Sequence, residues 1–221
     1  MDLTHKLTPS FSYGQVPPRM ELVPEAGSGV DAGMRMNRLS LVEHTGTHFD
    51  APSHFGEDQA DLGSIPIDDL VLPLVVVDVR NKVREELDYA VQLTDLLAWE
   101  DRHGAIPAGS CVALHSGCDP VSAANVQAPA SMPMPGFAPE CAQWLALARK
   151  VKGVAVDSMT LDARGNIPAY PFHRAWLGLG GWGIEGIANL SAVPPRDALL
   201  FVGVPPVQGA TGMPIRAVAI F

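Results

Sequence analysis

Charge is scarce in this 221-residue chain: Asp, Glu, Lys and Arg make up 18% of it, against 47% apolar residues. That balance excludes a disordered or low-complexity protein and leaves apolar surface to spare, which points to a homo-oligomer. Positive charge is the scarcer sign. A formal net charge of -9 sets the average field against phosphate backbones and anionic lipid, so neither nucleic acid nor a membrane is an expected partner. Long apolar runs are missing too. The longest, residues 71–79, is interrupted by Pro73 and Asp78 and falls well short of the roughly 20 residues a membrane helix needs. No apolar stretch follows residues 1–6, so no signal peptide is expected, and the cytoplasm is the expected compartment. The three cysteines, Cys111, Cys118 and Cys141, form no Cys-x-x-Cys pair, which excludes a disulfide framework and a thiolate zinc site. No Gly-x-Ser-x-Gly elbow is present, so a serine hydrolase of that type is excluded as well.

Histidine is present, and it is concentrated. Residues 44–55 read His-Thr-Gly-Thr-His-Phe-Asp-Ala-Pro-Ser-His-Phe and hold three of the chain's seven histidines. His44, His48, Asp50 and His54 all carry even numbers, so an extended chain presents them on one side. A helix would swing Asp50 away from His44 and His48, and Gly46 and Pro52 both oppose a helical interior. Neutral imidazoles beside a carboxylate suit a borderline-soft divalent cation, and Gly46 lets the backbone pass close to an ion. A histidine-rich surface loop is the plainer alternative, but three histidines in phase with Asp50 weigh against it.

This stretch resembles the His-x-Gly-Thr-His-x-Asp-x-Pro-x-His pattern of the metal-dependent cyclase family, which includes bacterial kynurenine formamidases and isatin hydrolases. It matches at every fixed position. The resemblance implies that His44, His48 and Asp50 bind metal while His54 moves protons. A second segment carries it further: His173 is followed twelve residues later by Glu185, as are the family's remaining metal ligands. From spacing alone, Glu185 reads better as a residue at a helix N-terminus, and only the resemblance reverses that. The resemblance also implies an α/β fold, a single domain over residues 1–221 with a mixed sheet like the swivelling β/β/α domain of that family, commonly a dimer or tetramer. An aromatic in the first loop would help cover the substrate. Phe11 or Tyr13 fills that place here, since no tryptophan precedes Trp99.

The rest of the chain reads as mixed α/β. Residues 34–41 alternate as a half-buried strand leading into the histidines, and residues 65–70 as a helical turn. Residues 71–79 and 110–115 are continuous β-branched strands flanking a helix over 94–103, a pattern that suggests parallel pairing. Residues 117–138 form a long loop, read as a cover for the site with Met132, Met134 and Phe137 as apolar walls, or else as a dimer contact. Residues 139–152 carry the clearest helical pattern. Residues 154–158 form a strand ending in Asp157. Asp157 and the nearby Asp162 are either acids of the site or caps of the following turn. The last strands fall at 199–204 and 215–221.

Five candidate ligands, His44, His48, Asp50, His173 and Glu185, exceed what one tetrahedral ion needs. Two divalent ions, Zn2+ or Mn2+, are therefore expected, activating a water for attack on a small-molecule amide while His54 carries the proton to the leaving nitrogen. Aryl formamides such as N-formylkynurenine and cyclic amides such as isatin are the expected substrates. A metal-binding protein without hydrolase activity is the alternative.

Overall fold

In β4 (Val71–Asp78) a period of two divides the side chains between two cores. Leu72, Leu74 and Val76 enter one, Val75 and Val77 the other. β6 (Cys111–His115) repeats the division, with Cys111 and Ala113 against Val112 and Leu114. Burial on both faces is what parallel strands covered on each side require, and β4, β6, β8 (Gly153–Val156) and β9 (Trp182–Glu185) do run parallel. The structure, a computed structural model, describes residues 1–8, 20–24, 35–119 and 132–221.

Antiparallel strands extend this centre on both sides. They are β3 (His48–Asp50) and β11 (Gly212–Pro214) beyond β9, and β10 (Ala198–Gly203) and β12 (Arg216–Ile220) beyond β4. The result is a mixed sheet of eight strands in the order β11-β3-β9-β8-β6-β4-β10-β12. The outermost strands, β11 and β12, are separated in the chain by Ile215 alone. The two edges are therefore held close and the sheet curls nearly shut, with Phe49 of β3 and Leu200, Ala217 and Ala219 of β10 and β12 in one core. The α/β fold with a mixed sheet agrees with the sequence reading.

The other core lies under helices. α1 (Arg80–Glu85) contributes Val83, α2 (Leu93–His103) Leu96 and Trp99, α3 (Glu140–Gln143) Cys141 and Ala142, and α4 (Pro171–Gly178) Phe172, Trp176 and Leu177. α2 begins in a capping box between Gln92 and Asp95 rather than at Thr94. The helix read over 139–152 is shorter than its pattern: it widens into a π turn at Trp144–Ala148 and ends there, and Lys150, with a φ of 54°, redirects the chain toward β8.

The expected half-buried strand at 34–41 is also corrected. β2 (Asn37–Leu41) pairs with β1 (Met20–Pro24) in a separate ribbon whose register puts Met20, Leu22, Leu39 and Leu41 on one side, yet Leu22 and Leu39 are 50% and 52% exposed. Alternation marks an apolar face, but it does not supply what covers that face.

Candidate metal centre

Only part of the histidine stretch is extended. Gly46 adopts a left-handed φ of 68°, which bends His44 back over the strand, and Pro52 opens a 3-10 turn, Pro52–His54, that carries His54. Of the extended stretch expected here, β3 is the part that is a strand, and it spans three residues only. The four side chains still gather. His44 and His48 rings meet edge to face at 5.2 Å, and His54 stacks on His44 at 3.9 Å.

Register brings in the distant partners. β3 lies between β11 and β9, pairing His48 with Glu185 and Asp50 with Gly183, so Glu185 sits at the end of a buried strand and not at a helix N-terminus. His173 arrives on α4. Asp162 sets that helix by accepting the Phe172 and His173 amide N–H groups at 2.9 and 3.1 Å, and it also accepts from His173 Nδ1 at 2.7 Å. One carboxylate thus caps the helix and orients the imidazole.

The candidate ligating atoms converge. His48 Nε2 lies 3.4 Å from both Asp50 Oδ1 and Glu185 Oε2, and His173 Nε2 lies 3.7 Å from Asp50 Oδ2 and 3.0 Å from Glu185 Oε1. Two triads, His44–His48–Asp50 and Asp50–His173–Glu185, share Asp50. Hydrogen-bond direction selects which nitrogens point inward. A carbonyl only accepts, so His48 Nδ1 donates to Gly46 O at 2.9 Å and Nε2 is the atom turned inward. A carboxylate likewise takes the His173 Nδ1 proton. This is how histidines that bind metal are held. Buried His48 Nε2 and Asp50 Oδ2 have no hydrogen-bond partner among the described residues. Such orphans are costly unless something else completes them, and the donor set of imidazoles and carboxylates fits a divalent cation.

Charge in the ion-free cluster is balanced by protons. Burial alone would lower the His48 imidazole, but Asp50 and Glu185 push it up to about 10; burial would raise the Asp50 carboxyl, but His173, His44 and His48 hold it well below the usual range. A divalent ion can take the place of these protons. His54 behaves differently: burial pushes it down to about 4, leaving the ring neutral near pH 7.

Among the expected substrate residues, Phe11 and Tyr13 lie outside the described residues, as do positions 120–131 of the expected lid. Phe137 has no accessible surface and stacks on Phe172 at 4.7 Å in the helical core. Its pairing in β7 (Gly136–Phe137) with β5 (Ala90–Val91) turns it inward, so it forms no open wall. Cys118 lies beside Ser116 and Pro133, and Asp157 accepts from Ser116 and Gly117 and lies close enough to His115 to act on it. Two residues near His44, Glu43 and Thr211, were not singled out by the sequence reading, because no local pattern links positions 168 residues apart.

Comparison with known proteins agrees with this geometry. A family model described as Putative cyclase matches residues 1–163. An isatin hydrolase of Roseibium aggregatum is 31% identical over 195 residues, 83% of this chain and 74% of that protein. The structure of isatin hydrolase A from Labrenzia aggregata bound to benzyl benzoate superimposes with a TM-score of 0.86 at 31% identity, covering 99% of this chain and 92% of that one. A kynurenine formamidase of Erythrobacter litoralis is 39% identical over 66 residues, 30% of this chain and 28% of that protein.

Proposed function

This chain belongs to the cyclase family, and from that premise we propose that it hydrolyses the amide bond of a small cyclic amide at the centre built on Asp50. The observation that carries the reading is the pair of triads meeting on one buried carboxylate, with Asp50 Oδ2 and His48 Nε2 left for an ion to complete. His44, His48 and Asp50 would hold one divalent ion and Asp50, His173 and Glu185 a second. The set lacks a thiolate, so Zn2+ and Mn2+ both suit it. Such ions lower the pKa of a water toward about 7 and polarise a carbonyl oxygen.

The chain's own residues do the rest. Asp162 and the Gly46 carbonyl lock the His173 and His48 rings with Nε2 inward. His54, stacked on His44, takes the proton from the attacking water and passes it to the leaving nitrogen. A cyclic amide is preferred because the resemblance to isatin hydrolase spans 83% of the chain. An aryl formamide is the second reading, favoured by the shorter match to a kynurenine formamidase. Residues 1–221 act as one domain, and the protein as a cytoplasmic homodimer or tetramer, a reading the charge-poor composition supports.

The test is elemental analysis of the purified protein, followed by turnover of lactams and aryl formamides after stripping and restoring Zn2+ or Mn2+. Full activity without metal would overturn the reading. Tight metal binding with no turnover of any amide would favour the metal-binding alternative.

A further inference from the structure

His44 differs from the other two imidazoles of the centre in how it is held. Its Nε2 lies 3.2 Å from the Thr211 hydroxyl, and that hydroxyl donates its single proton to Glu43 Oε2 at 2.7 Å. Glu43 Oε2 also accepts the Thr211 amide N–H at 3.2 Å, which fixes the pair. With its proton committed to a carboxylate, Thr211 can only accept from His44, so the ring must carry hydrogen on Nε2. The nitrogen left for the centre is then Nδ1, which lies 2.7 Å from Asp50 Oδ1. His48 and His173 present Nε2, and His44 presents the opposite atom.

Room for that orientation comes from the next residue. Gly212 pairs with Asp50 across β11 and β3, and a Cβ built on it would fall 2.5 Å from His44 Cε1, 3.0 Å from its Nδ1 and 2.6 Å from the Phe49 carbonyl oxygen. Any side chain there would push the ring off Asp50.

We propose that Glu43, Thr211 and Gly212 are positioning residues for His44, the first two fixing its proton on Nε2 so that Nδ1 faces the ion, the third leaving space for the ring to lie there. All three act through His44 and none touches the ion. Thr211 and Gly212 also lie beyond residues 1–163, the part of the chain matched by the family model. The inference rests on the ligand role proposed for His44, and the measurements keep the two separable.

Thr211→Val keeps the shape and removes the acceptor, and Thr211→Ser restores it. In ion-free protein, nitrogen-resolved NMR of the ring should show a slowly exchanging proton on His44 Nε2 in wild type and Thr211→Ser, and its loss in Thr211→Val. Titration with zinc chloride should show affinity falling about 10- to 100-fold in Thr211→Val, the usual cost of losing such a partner, with recovery in Thr211→Ser. Gly212→Ala should weaken zinc at least as much; if it fails to fold, the Thr211 series decides. A wild-type His44 without a protected Nε2 proton, or a Thr211→Val protein that binds zinc like wild type, overturns the proposal. A wild type that takes up no zinc refutes the metal reading instead, while the ring proton still reports on the wiring.

Discussion

Asp50 and Asp157 are both buried carboxylates at strand ends, 1% and 0% exposed, and they are put to opposite uses. Asp157, just past β8, accepts the Ser116 amide N–H on both oxygens at 3.0 Å, the Gly117 N–H at 2.9 Å and the Ser116 hydroxyl. Its main donors are backbone amides, which cannot leave, so it ties the end of β6 to the end of β8. Asp50 is met by the rings of His44, His48 and His173, and its Oδ2 has no hydrogen-bond partner among the described residues. Imidazoles can surrender their protons and reuse the lone pair. Equal burial therefore says little about role; the kind of donor around the carboxylate separates a structural knot from a ligand.

The largest effect expected from this contrast is in Asp50→Ala. Removing the group shared by both triads should abolish uptake of both ions and reduce turnover to background, whereas Asp157→Asn should keep its ions and turnover when assayed below its unfolding temperature. Metal content and rate measured in the same preparations check this, and an active Asp50→Ala protein would break the comparison. Next comes His54→Ala, which should retain its ions and lose roughly 10²- to 10⁴-fold in kcat; an empty centre in this variant would mean that His54 is a ligand. Third, chelation should lower stability by about 3 kcal/mol relative to protein with free ion near one hundred times its Kd. Hydrogen exchange should then rise around β3 and β9 more than around Ser116 and Asp157. The smallest effect belongs to Asp157→Asn, which should cost about 1–3 kcal/mol in denaturant unfolding, because an amide cannot satisfy every donor facing that position.

Much of this was legible in the chain itself. The spacing from His44 to His54 announced a divalent-ion cluster, and continuous β-branched runs announced the buried parallel strands. Position along the chain could not reveal what each element lies against. Glu185 follows Gly178, Gly180, Gly181 and Gly183 and was readable as a helix start; only the pairing of β9 with β3 puts it opposite His48. The alternation of 34–41 gave a face, but the ribbon of β1 and β2 leaves that face open. Asp162 could be read as a cap of the turn after it or as an acid of the site; it caps α4 ten residues further on instead, and holds the His173 ring from there. Thr211 and Glu43 are ordinary residue types whose meaning comes from a contact across the sheet.

The near-closure of the sheet through Ile215 has a consequence for the order in which the centre forms. His44 meets Thr211 across 167 residues of sequence, and that loop must close before the ring is held. Chain entropy makes such long-range contacts late in folding, although each doubling of loop length adds only about 0.6 kcal/mol. β3 presents His48 and Asp50 beside β9 while His44 rests against Thr211 next to β11, so both long-range pairings must form before the centre is whole. An ion seated on Asp50 then acts as a clasp, closed after most of the molecule is built, and its release should loosen the seams of β3 with β11 and β9 before β4, β6 and β8 feel it.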